Sequence, residues 1–265
     1  HILALIAKKN LPSYGEFYET RWFTPSPEEN VRVEILGDIV PFGRKIILSC
    51  STMPTLSVGA EICEDLWVPD PPCIHLAENG ATIIVNLSAS DEVIGKAEYR
   101  KSLVQSTSAR LASGYVYADA SYGESTTDMV FIGSNLIAEN GSLLASGTSF
   151  LGGDMVISEI DTEKLVSERI RMNTYASKDE GYEMVPFSLS LEKTALTRIF
   201  PRHPFVPDND KERAERCRLI LSLQALGLAR RLEASHAAKA VIGLSGGLDS
   251  TLALLVAVNA FIILK

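Results

Sequence analysis

The chain has 265 residues, 46% hydrophobic and 22% charged, with 18 Gly and 12 Pro, an ordinary globular mix that excludes a disordered, fibrous or coiled-coil molecule. Lys and Arg total 25 against 33 Asp and Glu, a net charge of −8, which argues against a phosphate-tracking nucleic-acid surface and for small-molecule ligands. Four cysteines without a CxxC pair read as reduced thiols, and the longest apolar tract, 252–264, is shorter than the roughly 20 residues of a membrane span, so the expectation is a cytoplasmic protein with no membrane segment.

Strands are expected over 2–7, 31–36, 45–50, 56–62 and 82–87 from their apolar, β-branched runs. A helix is expected over 97–113, with Leu103, Val104 and Leu111 on its inner face. Strands follow over 114–120, 130–138, 143–146 and 155–160, and the Asn140–Gly141 dipeptide suits a type I′ hairpin turn. From about 169 to 210 the pattern dissolves into polar residues with Pro186, Pro201, Pro204 and Pro207, the composition of a linker or irregular crossing. A helix over 211–232, a strand over 239–244, a glycine turn and an apolar helix close the chain. This order predicts a layered α/β body over 1–168, a linker over 169–210, and the opening of a second α/β domain over 211–265.

The glycine turn reads SGGLDS, residues 245–250. Gly246 and Gly247 let backbone N–H groups approach an anion, Ser245 and Ser250 add hydroxyls, and the following helix N-terminus adds partial positive charge. It is not a Walker A loop, because no Lys stands where that motif needs one. The bland alternative is a tight βα turn with Asp249 and Ser250 as helix caps.

The second motif is VGAEICEDLWVPD, residues 58–70. Cys63 closes an apolar strand and opens an acidic turn. Its neighbours Glu64 and Asp65 would make the thiol harder to ionise, so a cation or base must come from elsewhere, and Lys8 at the end of the first strand is the candidate.

Taken with KKNLPSYGEFYETRWF (8–23) before it and VNLSASDEVIGKAEYR (85–100) after it, this turn resembles the nitrilase-type glutaminase domain of the glutamine-dependent NAD synthetases. SGGLDS resembles the ATP pyrophosphatase loop of the same family's second domain. The resemblance implies a nitrilase-like α/β sandwich followed by the first elements of a doubly wound adenine-nucleotide α-hydrolase-like domain. It implies that Cys63 attacks the carboxamide of glutamine, Lys8 steadies the oxyanion, and Tyr14, Glu19, Trp67, Ser90 and Lys96 bind glutamine. It further implies that Ser245, Gly246, Gly247, Leu248, Asp249 and Ser250 hold the ATP phosphates, with Asp249 helping to place Mg²⁺. The activity implied is glutamine hydrolysis feeding ammonia to the ATP-dependent amidation of deamido-NAD, in a cytosolic homo-oligomer with ATP and Mg²⁺ as co-substrate and ion and no tightly bound cofactor.

The family's catalytic Glu lies upstream of position 1, and its synthetase domain needs more βα units than 211–265 supply. The expectation is therefore a piece of a longer protein, truncated at both ends and weak or inactive alone. Two rivals stay open: a stand-alone nitrilase-type amidohydrolase, and a non-catalytic truncated oligomerisation module.

Overall fold

The computed structural model describes residues 1–124, 129–148, 155–200 and 202–265. They divide into two compact units, His1–Arg198 and Ile199–Lys265.

The first unit holds two sheets. β1 (Leu5–Ile6), β2 (Val31–Ile35) and β3 (Asp38–Gly43) form a small sheet in the order β1-β3-β2. β2 and β3 are an antiparallel hairpin that turns through Leu36 and Gly37, at φ of 51° and 85°. β3 carries Asp38, Pro41 and Gly43, poor strand formers that hide it in the sequence, and its ladder with β2 supplies what propensity does not.

The larger sheet is built from β4 (Ile46–Cys50), β5 (Ser57–Ile62), β6 (Ile83–Ser88), β7 (Gly114–Asp119), β8 (Ser134–Glu139), β9 (Ser142–Thr148) and β10 (Glu183–Phe187). Among the described residues its order is β10-β4-β5-β6-β7-β8-β9. β5, β6 and β7 are mutually parallel. β8 and β9 are antiparallel and turn at Asn140 and Gly141, both at positive φ as a type I′ turn requires. β10 pairs with β4 along its whole length, so the span expected to be a linker contributes a strand to the sheet. Pro186 sits in β10, an edge strand, where a missing N–H is tolerated. The linker's Pro201 lies outside the described residues.

α1 (Pro72–Glu78) joins β5 to β6, and α2 (Lys96–Leu111) joins β6 to β7. Leu66, Cys73, Leu76, Val104 and Leu111 pack on Ile47, Ile84, Tyr115 and Tyr117 of the sheet. Each large side chain buried there stabilises by about 1.5–3 kcal/mol. α1 comes close because β5 carries Gly59, where a Cβ would lie 3.0 Å from the Leu76 side chain. α3 (Thr162–Arg171) starts at Asp161, whose carboxylate accepts from the Lys164 N–H, and buries Leu165. α1 and α3 leave little trace in the sequence, one being only seven residues long and Pro-initiated and the other predominantly polar.

Two expected strands do not form. Residues 155–160 and 239–244 run without ladder partners. β-Branched composition alone does not make a strand; a hydrogen-bonded neighbour does. In the second unit α4 (Asp210–Ala234), capped by the Asn209 side chain, packs on α5 (Leu248–Ile263) through Ala229, Leu232 and Ala260. α5 leaves Leu248, Leu255 and Ile262 exposed. No described helix is long and apolar enough to cross a membrane.

Candidate active site

Cys63 follows directly on β5 and opens a 3-10 turn, Cys63–Leu66, with its backbone in the left-handed region at φ 50°. A non-glycine residue there is costly unless its surroundings hold it. Its N–H donates to Asn86 Oδ1 at 3.2 Å. Asp65, buried in the same turn, accepts from the Ile62 N–H at 3.0 Å, the Asn10 N–H at 2.8 Å and Asn10 Nδ2 at 2.9 Å. One carboxylate therefore ties the segment after β1 to the cysteine turn. That tie brings Lys8 to Cys63.

Both residues line one cavity of about 480 Å³, together with Leu11, Glu19, Phe42 and Ser88. Lys8 Nζ donates to both carboxylate oxygens of Glu19, at 2.7 and 2.6 Å. Burial pushes the Cys63 thiol up. The Lys8 cation, the Ala89 N–H and the Ser88 hydroxyl pull it down, and Glu19 pushes it up again. Glu19 is thus a carboxylate that acts against the thiol, while Asp65 is turned into its own hydrogen bonds and Glu64 accepts from Tyr14 Oη at 2.8 Å. Buried thiols are poor nucleophiles until a cation or base compensates, and Lys8 is placed to do so.

The other sequence candidates are arranged around the cavity, not on it. Tyr14 is held on Glu64, and burial with that bond pushes its hydroxyl up to about 12. Lys96 stands over the rings of Phe17 and Trp67, at 5.9 and 5.6 Å, and pairs with Asp91 at 2.5 Å. Trp67 also packs on Tyr99, with ring centroids 5.5 Å apart. Ser90 is buried; its N–H donates to Asp119 Oδ1 at 2.9 Å and its hydroxyl accepts from Arg100 at 3.4 Å. None of Tyr14, Trp67, Ser90 and Lys96 is among the described residues lining the Cys63 cavity.

Sequence reasoning missed the groups behind Cys63. Glu61, two residues earlier on the buried face of β5, accepts from Tyr115 Oη in a short hydrogen bond and from the Cys73 N–H at 2.8 Å. Burial pushes its carboxyl up to about 7. The missed signal was an ionisable residue at an inward position of an otherwise apolar strand.

In the second unit Gly246 lies at φ 84° and Gly247 caps α5. The hydroxyls of Ser245 and Ser250 are 3.1 Å apart, and Ser250 and Thr251 donate to the Gly247 carbonyl. Asp249 lines a separate cavity of about 640 Å³ among Leu228, Val241, Ile242 and Leu252. The described residues contain no cluster of three or more His, Cys, Asp or Glu that could hold a metal ion.

The family model for carbon-nitrogen hydrolases matches residues 2–169. The chain belongs to the carbon-nitrogen hydrolase family. Its α/β sheets are the nitrilase-like architecture expected of a carbon-nitrogen hydrolase. Residues 220–263 match the NAD synthase model. Glutamine-dependent NAD(+) synthetases align over most of this carbon-nitrogen hydrolase: that of Mycobacterium tuberculosis is 41% identical over 269 residues, covering 98% of this chain and 40% of the relative. The Homo sapiens protein is 31% identical over 267 residues, covering 94% of this chain and 36% of its own. The chain therefore spans about 40% of the length of the first of these curated relatives. A solved glutamine-dependent NAD(+) synthetase from Cytophaga hutchinsonii is 33% identical with a TM-score of 0.46, over 54% of this chain and 22% of that one.

Proposed function

We propose that this chain carries the glutamine-hydrolysing site of a glutamine-dependent NAD synthetase, with Cys63 as the nucleophile. The observation that supports it best is the shared cavity: Cys63 and Lys8, 55 positions apart in sequence, meet there, with Lys8 pinned by Glu19. In this reading Cys63 Sγ attacks the carboxamide carbon while Lys8 supplies positive charge to the developing oxyanion, the thiol proton passes to the amide nitrogen so that the C–N bond breaks and ammonia leaves, and water then cleaves the thioester, releasing glutamate and restoring the thiol. Glu19 holds Lys8 in place. Tyr14, Trp67, Ser90 and Lys96, the last held by Asp91, form the layer around the cavity that supports the glutamine subsite.

The ammonia serves the ATP-dependent amidation of deamido-NAD to NAD, with release of AMP and pyrophosphate. Ser245, Gly246, Gly247, Leu248, Asp249 and Ser250 would cradle the ATP phosphates, with Mg²⁺ brought as part of the substrate and touching Asp249. Free thiols at Cys50, Cys63, Cys73 and Cys217 suit the reducing cytosol, and the assembly proposed is a homo-oligomer of the longer protein.

The test is covalent capture. A glutamine-shaped diazoketone should add to Cys63 and to no other cysteine, as read by peptide mass spectrometry. Glutamine should protect against it and Lys8→Met should slow it. Modification that ignores glutamine, or that falls on Cys217, would overturn the reading. A stand-alone amidohydrolase would accept other small amides equally well in the same competition.

A further inference from the structure

Glu61, Tyr115 and Asn86 take no part in the chemistry just described, yet they form a continuous chain beneath the cysteine. Sheet register explains their meeting. Glu61 is the β5 partner of Asn86 on β6, and Asn86 is the partner of Tyr117 on β7, so all three share a face with Tyr115, two residues along β7. All four are buried.

With Glu61 ionised, the donor and acceptor roles along the chain are determined. Both oxygens of Glu61 accept, one from Tyr115 Oη and one from the Cys73 N–H. The Tyr115 hydroxyl proton is thereby committed, so its oxygen can only accept, and it does so from Asn86 Nδ2 at 3.1 Å. The Asn86 carbonyl must then face the other way. There it takes the Cys63 N–H at 3.2 Å and the Ser88 hydroxyl at 2.7 Å. A carboxylate at the far end thus fixes which way the asparagine amide points, and with it the left-handed backbone of Cys63.

We propose that Glu61, acting through Tyr115 and Asn86, is a positioning residue for Cys63: a buried relay that holds the cysteine backbone so that its sulfur faces the cavity beside Lys8. The role rests on the reading of Cys63 as nucleophile but not on turnover. Hydrogen bonds linked head to tail strengthen one another in a buried site, so breaking either end should release the whole chain.

The experiment is alkylation of the full chain by iodoacetamide, with the rate at each cysteine followed by peptide mass spectrometry. It needs no glutamine hydrolysis, so a failed glutaminase reading and a failed relay give different results. Glu61→Gln and Tyr115→Phe should each slow Cys63 about tenfold, the scale of a lost hydrogen bond to a charged group, while exposed Cys217 keeps its rate. The double variant should be no slower than either single one. A relay requires that coincidence, and two independent structural roles would instead multiply to about a hundredfold. Unchanged Cys63 rates in the single variants, or multiplied losses in the double, would overturn the proposal. Should Glu61→Gln unfold the chain, seen as rapid labelling of buried Cys50, Tyr115→Phe decides alone: slowed labelling supports the relay and parental labelling refutes it.

Discussion

Lys8 and Glu19 are joined by two hydrogen bonds, of 2.7 and 2.6 Å, at the wall of the cavity that holds the Cys63 sulfur. The pair places a cation and its counter-charge on the same thiol with opposite effects. Lys8 favours the thiolate and Glu19 opposes it. Glu19 also fixes where the ammonium sits, so the favourable charge is localised at the expense of part of its strength.

This balance gives a directional result. Glu19→Gln should lower the Cys63 pKa and speed its alkylation near pH 7, and Lys8→Met should raise the pKa and slow it. Each pKa unit moved corresponds to about 1.4 kcal/mol, or tenfold in thiolate population. Stopped labelling at a series of pH values measures both, and a shift of the same sign in the two variants would contradict the arrangement.

Asp65 fastens residues 9–10 to the cysteine turn. Asp65→Asn presents an NH₂ to backbone donors that now find an acceptor, leaving at least one of them unsatisfied, at about 1–3 kcal/mol. In a unit of this size that lowers Tm by roughly 2–4 °C per kcal/mol. Thermal unfolding followed by circular dichroism should show the drop. The Lys8 effect on Cys63 labelling should shrink with it, because the segment carrying Lys8 is no longer tied down.

Stability should pass through a maximum in mildly acidic solution. Glu139, held by Arg198 and Lys164, is lowered to about 2, so its contribution is complete above its ordinary value of 4.5 and is lost as the pH falls toward 2. Glu61 behaves oppositely. Its pKa is raised from 4.5 to about 7, so between those values the folded state binds the proton more tightly than the unfolded one, and stability falls as pH rises through that window. Asp119, raised to about 6 by burial, adds to the same fall. Urea midpoints should therefore climb from pH 2 to about 4.5 and decline toward pH 7. Glu61→Gln should flatten the decline and spare the climb.

Gly59→Ala tests the packing that seats the site. Its Cβ would meet the Leu76 side chain at 3.0 Å, so that side chain must give by a few tenths of an ångström, and overpacking of this kind costs about 1–3 kcal/mol. The denaturation midpoint should fall with little change in slope. An unchanged midpoint would mean that α1 is free to shift.

The parallel core strands, the α2 helix and the Asn140–Gly141 hairpin were legible in the sequence because hydrophobic pattern and turn chemistry agree there. β3, β10, α1 and α3 were not, since each owes its form to a neighbour: β3 to the ladder of β2, β10 to β4, α3 to one buried leucine and a capping aspartate. The reverse error arose at 155–160 and 239–244, where composition favoured strands and no partner completes them. At the site, Cys63, Lys8 and the glycine loop stood out as motifs. The pairing of Glu19 with Lys8, the bridge through Asp65 and the stack of Glu61, Asn86 and Tyr115 did not, because they depend on which residues of β5, β6 and β7 lie level with one another. Register of that kind is set by the whole sheet and leaves little local trace.

Cys63 comes just after β5, Ser88 ends β6 and Asp119 ends β7, so three parallel neighbours deliver polar groups at one rim while their middles are locked in the core. The rim and the interior are nonetheless one structure, since Leu66 of the turn after β5 packs in the core and Asp65 of the same turn holds Asn10. Replacing that turn wholesale would disturb the core as well as the cavity, so changes at this rim are best made one side chain at a time.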